Sequence, residues 1–359
     1  MPINRIYHTW LHALLQLQPK QRITVIRNFA WLLAGLYVSK SIHLSRIADE
    51  ISWRVKLPSA TRRLSRLLAN RALRVRLWYE PIALMLLEAQ IATLGEVRLI
   101  VDGSKVGFNH QLLMVAIAFR RRALPIAWTW VPHKRGHSST AKQKALLAYV
   151  RKMLPADVPV IVVGDAEFGE APVLKLLEAW QWHYVLRQRS SFLVRTPDAA
   201  SWQSLGSFIS KSGQQLWIAS ARLTQKYQHP VSLLLYWKPG EDEPWLLATN
   251  LDSPRSARRS YSRRMWIEEM FGDFKGHGLD LESTHLRHFL RLSRLTLAVA
   301  LLYVWLTATG SSVIKRGLRH LVDRKERRDL SIFRIGWSFI KYRLKNQLAF
   351  TFRLQPYFY

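Results

Sequence analysis

The chain has 359 residues, 54 Lys+Arg against 24 Asp+Glu, a net charge of +30 and 49% hydrophobic residues. So large a positive excess, spread through the chain instead of gathered beside one apolar segment, calls for a polyanionic partner and favours nucleic acid over a membrane surface. With no cysteine, disulfides and thiolate metal sites are excluded and a reducing compartment is compatible; with no Gly-Lys-Ser/Thr loop, an ATP-driven motor is disfavoured.

The first 90 residues carry apolar side chains at three- and four-residue intervals, punctuated by Pro19, Pro58 and Pro81, and read as helical with no secretory signal. Within them, residues 41–51 and 59–70 predict two short helices about a turn, with Ser59 as N-cap and Arg62, Arg63 and Arg66 on one face of the second. That pair reads as a helix-turn-helix able to contact DNA, although short helical pairs with exposed arginines also serve as plain bundle parts. The pattern then changes. Residues 97–102 (VRLIVD) predict a buried strand ending in Asp102, followed by strands at 112–120 and 123–131, a helix over 138–154, a second buried strand at 159–165 ending in Asp165, a helix over 171–180 and a strand at 182–187. Three strands, helix, strand, helix, strand is the order of a ribonuclease H-like α/β fold, in which the first and fourth strands are neighbours and the two aspartates meet.

Residues 190–251 read as β-rich, with strands at 192–195, 215–223, 231–237 and 245–251, the last two joined by KPGEDEP. Pro254 then opens a long helix through Lys275, and residues 285–359 are again helical and basic. The most apolar window, 295–309, is short for a bilayer and flanked by Arg294 and Lys315, so it reads as a buried helix. The expected organisation is a helical DNA-binding region at 1–90, a catalytic core begun at 91–189 and completed by a helix at 253–284, a β-stranded insertion at 190–252, and a helical C-terminal region at 285–359 suited to dimerisation.

The stretch YSRRMWIEEMFGDFK, residues 261–275, holds the densest functional pattern. At about 100° per residue on one helix, Tyr261, Arg264, Glu268 and Lys275 share an arc of about 60°. A carboxylate there can hold a divalent metal, Arg and Lys can grip phosphate, and Tyr can bond a phosphate oxygen or stack on a base. A solvated face of a basic amphipathic helix is the plainer alternative. Together with Asp102 and Asp165, Glu268 completes a set of three hard oxygen ligands suited to two Mg²⁺ ions and phosphoryl transfer. His133 and His137 suggest a competing zinc site, but Gly136 between them and the lack of a nearby glutamate argue against it.

The spacing of Tyr261, Arg264, Glu268 and Lys275 resembles the signature of the IS4 family of DDE transposases. The resemblance spans residues 97–290 and implies a ribonuclease H-like catalytic core with a β-stranded insertion ahead of the last catalytic acid. It implies that Asp102, in VDGSK, and Asp165, in VVGDAEF, are the first two acids and Glu268 the third, although Ala166 and Glu167 stand where Arg and Gly are commoner. Trp245, in PWLLATNL, corresponds to a tryptophan that stacks on a flipped base, with Tyr261 and Arg264 on neighbouring phosphates and Lys275 on a phosphate near the cut. A chain with only a sheet to fill would also bury such a tryptophan. The implied activity is cleavage at insertion-element ends by water and strand transfer by the freed 3′-hydroxyl, through a hairpin by analogy, with Mg²⁺ as cofactor and Mn²⁺ able to replace it. The implied partners are terminal-repeat and target DNA and a second copy of the chain, without membrane or ATP, at the nucleoid of a prokaryotic cytoplasm. Two alternatives are an inactive or repurposed transposase that only binds DNA and a ribonuclease H-type nuclease; a joined product separates the transposase from the latter.

Overall fold

Apolar residues that recur every three or four positions become helices, short unbroken runs such as residues 160–164 become strands, and the longer unbroken runs at 29–38 and 297–306 become buried helices. In the computed structural model, which describes residues 2–358 except 52, 108–109, 133–137, 277, 325 and 327, five helices come first: α1 Pro2–Leu17, α2 Ile23–Ser39, α3 Leu44–Asp49, α4 Leu57–Ala69 and α5 Val75–Leu94. Strands β1 Val97–Val106, β2 His110–Phe119 and β3 Arg122–Pro132 follow, then α6 Thr140–Arg151, β4 Val160–Gly164, α7 Ala171–Ala179 and β5 His183–Arg187. Next come β6 Leu193–Arg195, β7 Gln203–Ser204, β8 Gln215–Leu223, β9 His229–Tyr236 and β10 Trp245–Thr249. The chain closes with α8 Pro254–Tyr261, α9 Met265–Phe274, α10 Phe289–Lys315 and α11 Ile332–Lys345.

The residues divide into two compact units, one of Met1–Ala89, Lys105–His110 and Met270–Tyr359, the other of Gln90–Ser104 and Gln111–Glu269. The second unit is built on a ten-stranded mixed sheet in the order β3-β2-β1-β4-β5-β10-β9-β8-β6-β7. Strands β1 and β4 are parallel, with Val97 opposite Val160 and Val101 opposite Gly164, and β4 is parallel to β5. Such parallel strands are covered on both faces, which is why β4 reads VIVVG without a polar alternation. Strand β10 joins antiparallel to β5 and to β9, so the β-rich segment after residue 190 continues the same sheet. Helix α6 packs on β3 and α7, while α7 packs on β5 and α8 on β4, β5 and β9.

The first unit is helical around α10, which packs against α2, α4 and α11. Among the described residues α10 alone is long and apolar enough to cross a membrane, and 89% of its apolar window is buried within the protein. Buried Arg294 at its start is held by two carbonyls, donating from Nε to Leu73 O at 3.0 Å and from Nη1 to Leu68 O at 2.8 Å. Helices α10 and α11 cross where Gly310 meets Gly336: a Cβ on Gly310 would stand 3.0 Å from Gly336 N and overlap Ile332 O.

Three local expectations are corrected. Helix α4 begins at Leu57 with Lys56 as N-cap, because Pro58 suits the first turn, and Ser59 therefore lies inside the helix. Helix α6 begins at Thr140 with Ser139 as N-cap, since Ser138 is bonded elsewhere. The long helix after Pro254 is two helices. Ser253 Oγ caps α8 by accepting from Ser256 N at 3.4 Å, but after Tyr261 the bonds tighten, with Arg264 N donating to Tyr261 O at 2.8 Å and Ile267 N to Arg264 O at 3.2 Å. These three-residue turns redirect the chain before α9 starts.

Candidate active site

Strand register sets the site. Val101 and Gly164 are the last paired residues of parallel β1 and β4, so Asp102 and Asp165 follow side by side on strands about 5 Å apart. The approach is close: a Cβ on Gly164 would stand 2.8 Å from Val101 Cγ1 and 3.1 Å from Val101 O. Asp102 does not end its strand as expected, because β1 runs on to Val106 to pair with β2. Asp165 does leave β4, preceding a short 3₁₀ turn, Ala166–Phe168.

Asp102 is buried, 6% exposed. Its Oδ1 accepts from Gly103 N at 2.7 Å and its Oδ2 from Arg264 Nη1 at 3.0 Å. The same Nη1 donates to Glu268 Oε1 at 3.1 Å, so one guanidinium nitrogen bridges the two acids. Burial pushes the Asp102 carboxyl up to about 7; Arg264 and the Gly103 amide oppose the shift, and Glu268 and Asp165 add to it. Burial alone would weaken the charge on Arg264, but Asp102, Tyr261, Asp165 and Glu268 together hold its pKa above the ordinary value.

Tyr261 ends α8 and is buried, and burial holds its phenol protonated. Its ring meets Trp245 edge-on, with centroids 5.0 Å apart, and Trp245 in turn meets Tyr236 at 5.9 Å. Trp245 is half-buried at the start of β10, with one side open to a cleft of about 340 Å³ lined by Arg187, Glu243, Tyr261, Arg264 and Met265. Glu268, in the first turn of α9, is exposed.

Asp102, Asp165, Trp245, Tyr261, Arg264 and Glu268 thus gather in one unit. They do so without the single helical face expected for residues 261–275, since Arg264 lies in the turn between α8 and α9. Lys275 follows the end of α9 and belongs to the other unit, where its Nζ stands 3.9 Å from Glu282 Oε2. Arg62, Arg63 and Arg66 are exposed on α4 of that unit, Arg63 lying 4.5 Å over the Trp53 ring and donating from Nε to Asn28 Oδ1 at 2.8 Å. His133 and His137 lie outside the described residues.

The donor chemistry of the acids, hard carboxylate oxygens on a carboxyl that burial and like charge have made weak, suits a divalent cation of the Mg²⁺ type. Among the described residues, however, no three of His, Asp and Glu converge tightly enough to enclose an ion, and the cation between Asp102 and Glu268 is the guanidinium of Arg264.

Sequence reasoning passed over two residues here. Arg187 ends β5, and because Gly164 pairs with Leu186, it stands beside Asp165. Its Nη2 donates to Glu243 Oε2 at 2.8 Å and to Pro244 O at 3.3 Å. The register that joins the aspartates would have found it. Glu167, where the resemblance expects a smaller residue, holds the neighbourhood together: Oε2 accepts from Gln111 Nε2 at 2.8 Å, and Oε1 from Ser138 N at 2.6 Å and Ser138 Oγ at 2.5 Å.

A family described as the transposase DDE domain matches residues 94–305. No curated protein matches the chain. Among solved structures, a chain of the piggyBac transposase synaptic complex with hairpin DNA is similar at a TM-score of 0.42 and 11% identity, covering 97% of this chain and 79% of that one.

Proposed function

Because the chain belongs to the DDE transposase domain family, we propose that it is a cut-and-paste transposase of the IS4 type, with Asp102, Asp165 and Glu268 as its catalytic acids. The observation that carries this reading is the register of parallel β1 and β4, whose last pair, Val101 and Gly164, is followed on the two strands by Asp102 and Asp165, with Glu268 joined to Asp102 through Arg264. The ribonuclease H-like reading of the core draws its support from the order β3-β2-β1-β4-β5 with β1, β4 and β5 parallel. DDE transposases generally use divalent metals; once Arg264 gives up its place between Asp102 and Glu268, those two acids and Asp165 would be the ligands of Mg²⁺ or Mn²⁺, which would supply a Lewis acid for the scissile phosphate and an acidified water.

The chain's own residues do the rest. Trp245 offers a half-exposed ring to an extruded base, and Tyr261 braces that ring from its edge. Arg264 and Arg187 bring guanidinium groups to the phosphates beside that base, and the Tyr261 phenol, protonated, donates a hydrogen bond. Lys275 contributes a point charge to a phosphate near the cut. The arginines of α4 hold flanking DNA, and the basic C-terminal helices pair two copies at two element ends. Such a chain works where chromosomal DNA lies, at the nucleoid.

One observation favours a second reading. With Arg264 standing between Asp102 and Glu268, the acids are neutralised by protein, as in a DNA-binding protein that has given up the chemistry. The two separate in a cleavage assay on DNA carrying the gene's own flanking sequence, with Mg²⁺, comparing the native chain with Glu268→Ala. Cuts at defined ends that disappear in the variant, by a factor of about 10³ or more, support the transposase. Equal binding by both proteins without cutting selects the DNA-binding reading.

A further inference from the structure

The first unit holds a cleft of about 550 Å³ that none of the assignments above explains as a whole. Three chain segments distant in sequence bring basic side chains to its walls: His43 before α3, Lys105 near the end of β1, and Lys275 and His285 on the connection from α9 to α10. The imidazoles of His43 and His285 lie tilted at 38° to each other, with centroids 5.3 Å apart. Among the described residues lining the cleft Glu282 is the one acid, and it stands 3.9 Å from Lys275. Gly107, with φ +60°, supplies the left-handed turn at the cleft's edge.

Two ammonium groups and two imidazoles around an open cleft, with one weakly engaged carboxylate, do not satisfy one another. They need an oxyanion between them. The two ammonium groups disfavour a cation, no three His, Asp or Glu converge there among the described residues, and an apolar ligand would strand the ammonium groups. We propose that His43, Lys105, Lys275 and His285 form a cradle for a phosphodiester of DNA, in which Lys275 is one of four contacts. This rests on the transposase reading only for the source of the phosphate; the same chemistry would accept free phosphate, and the test separates the two.

The measurement is the affinity of the full-length chain for a labelled 20-base-pair duplex across a series of salt concentrations, in the native protein and in Lys105→Gln, His285→Gln and the double variant. Lys105 and His285 are exposed, so the variants are expected to keep the native melting temperature. The double variant should bind about 5- to 20-fold more weakly, with the slope of log affinity against log salt reduced by about one. A second readout needs no variant: lysine acylation read by mass spectrometry should show Lys105 and Lys275 protected by the duplex. Unchanged affinity and slope, with both lysines equally reactive with and without DNA, would overturn the cradle. Protection by millimolar inorganic phosphate with unchanged duplex affinity in the double variant would overturn DNA as its ligand. If the native chain cuts no element-end DNA yet the double variant binds duplex more weakly, the cradle stands and the catalytic reading falls.

Discussion

At the scale of single residues, Asp102 is where stability and the proposed chemistry oppose each other. Its carboxyl titrates near 7 in the folded chain against an ordinary 3.8, chiefly because it is buried. The folded state therefore binds the proton more tightly than the unfolded state. The stability this group contributes is fully present below about pH 4 and is lost as pH rises to about 7, after which it is constant. Asp102→Asn should remove that slope. In urea titrations with EDTA, native and variant should have similar midpoints near pH 4, while at pH 8 the variant should be more stable by roughly 2 to 4 kcal/mol. Mg²⁺ at millimolar concentration should raise the native midpoint at pH 8 and leave the variant's where it was. A native protein whose stability is flat between pH 4 and 8 would contradict the burial argument.

Residue identities were legible in the sequence where a periodic pattern delivered them. Asp102 and Asp165 could be placed together because two strand-like runs, residues 97–101 and 160–164, lead into them and parallel neighbours leave little freedom of register. Arg187 obeys the same register but carries no pattern of its own, so it emerges only when β5 is seen beside β4. Glu167 is hidden for another reason: its partners Gln111 and Ser138 are far away in sequence, and nothing local marks a carboxylate as a hub. The position of Arg264 in a turn is also non-local, since residues 254–275 all tolerate a continuous helix and the break shows only in the three-residue bonds after Tyr261.

At the scale of elements, two junctions carry predictions. The turn between β9 and β10 holds Glu241, Asp242 and Glu243, a run of acids in a strongly basic chain, and Glu243 engages Arg187 beside the Trp245 cleft. A phosphate that reaches Arg187 must displace that carboxylate. Glu243→Gln should therefore tighten binding of duplex DNA by about 2- to 5-fold at low salt, an advantage that fades as salt rises, because the Glu243 carboxylate is exposed. Weaker or unchanged binding in a fluorescence titration would show that Arg187 does not meet phosphate. The other junction is the crossing of α10 and α11, where two backbones touch at Gly310 and Gly336. Gly336→Ala would drive a methyl group into Leu306 O and force the helices apart. A loss of about 2 to 4 kcal/mol in chemical denaturation is expected, against a gain of up to about 1 kcal/mol for Gly→Ala in a helix without such a contact.

At the scale of the whole molecule, charge dominates. The excess of +30 is far more than any one site needs, and on the proposed function it would act on DNA before any residue reads it. A chain that neutralises six to ten phosphates loses about 10³- to 10⁵-fold in affinity between 50 and 200 mM salt, because each contact releases a condensed counterion. The native protein should fall in that range on duplex of arbitrary sequence. Glu268→Ala should follow the same curve or bind slightly more tightly, since it removes one exposed negative charge and no cation. The comparison has content because the two readings of function share this binding and differ only in cutting. A shallow salt dependence, with a slope near one, would mean that the positive charge is spent on solubility, and both DNA readings would then have to give way to a partner that is not a polyanion.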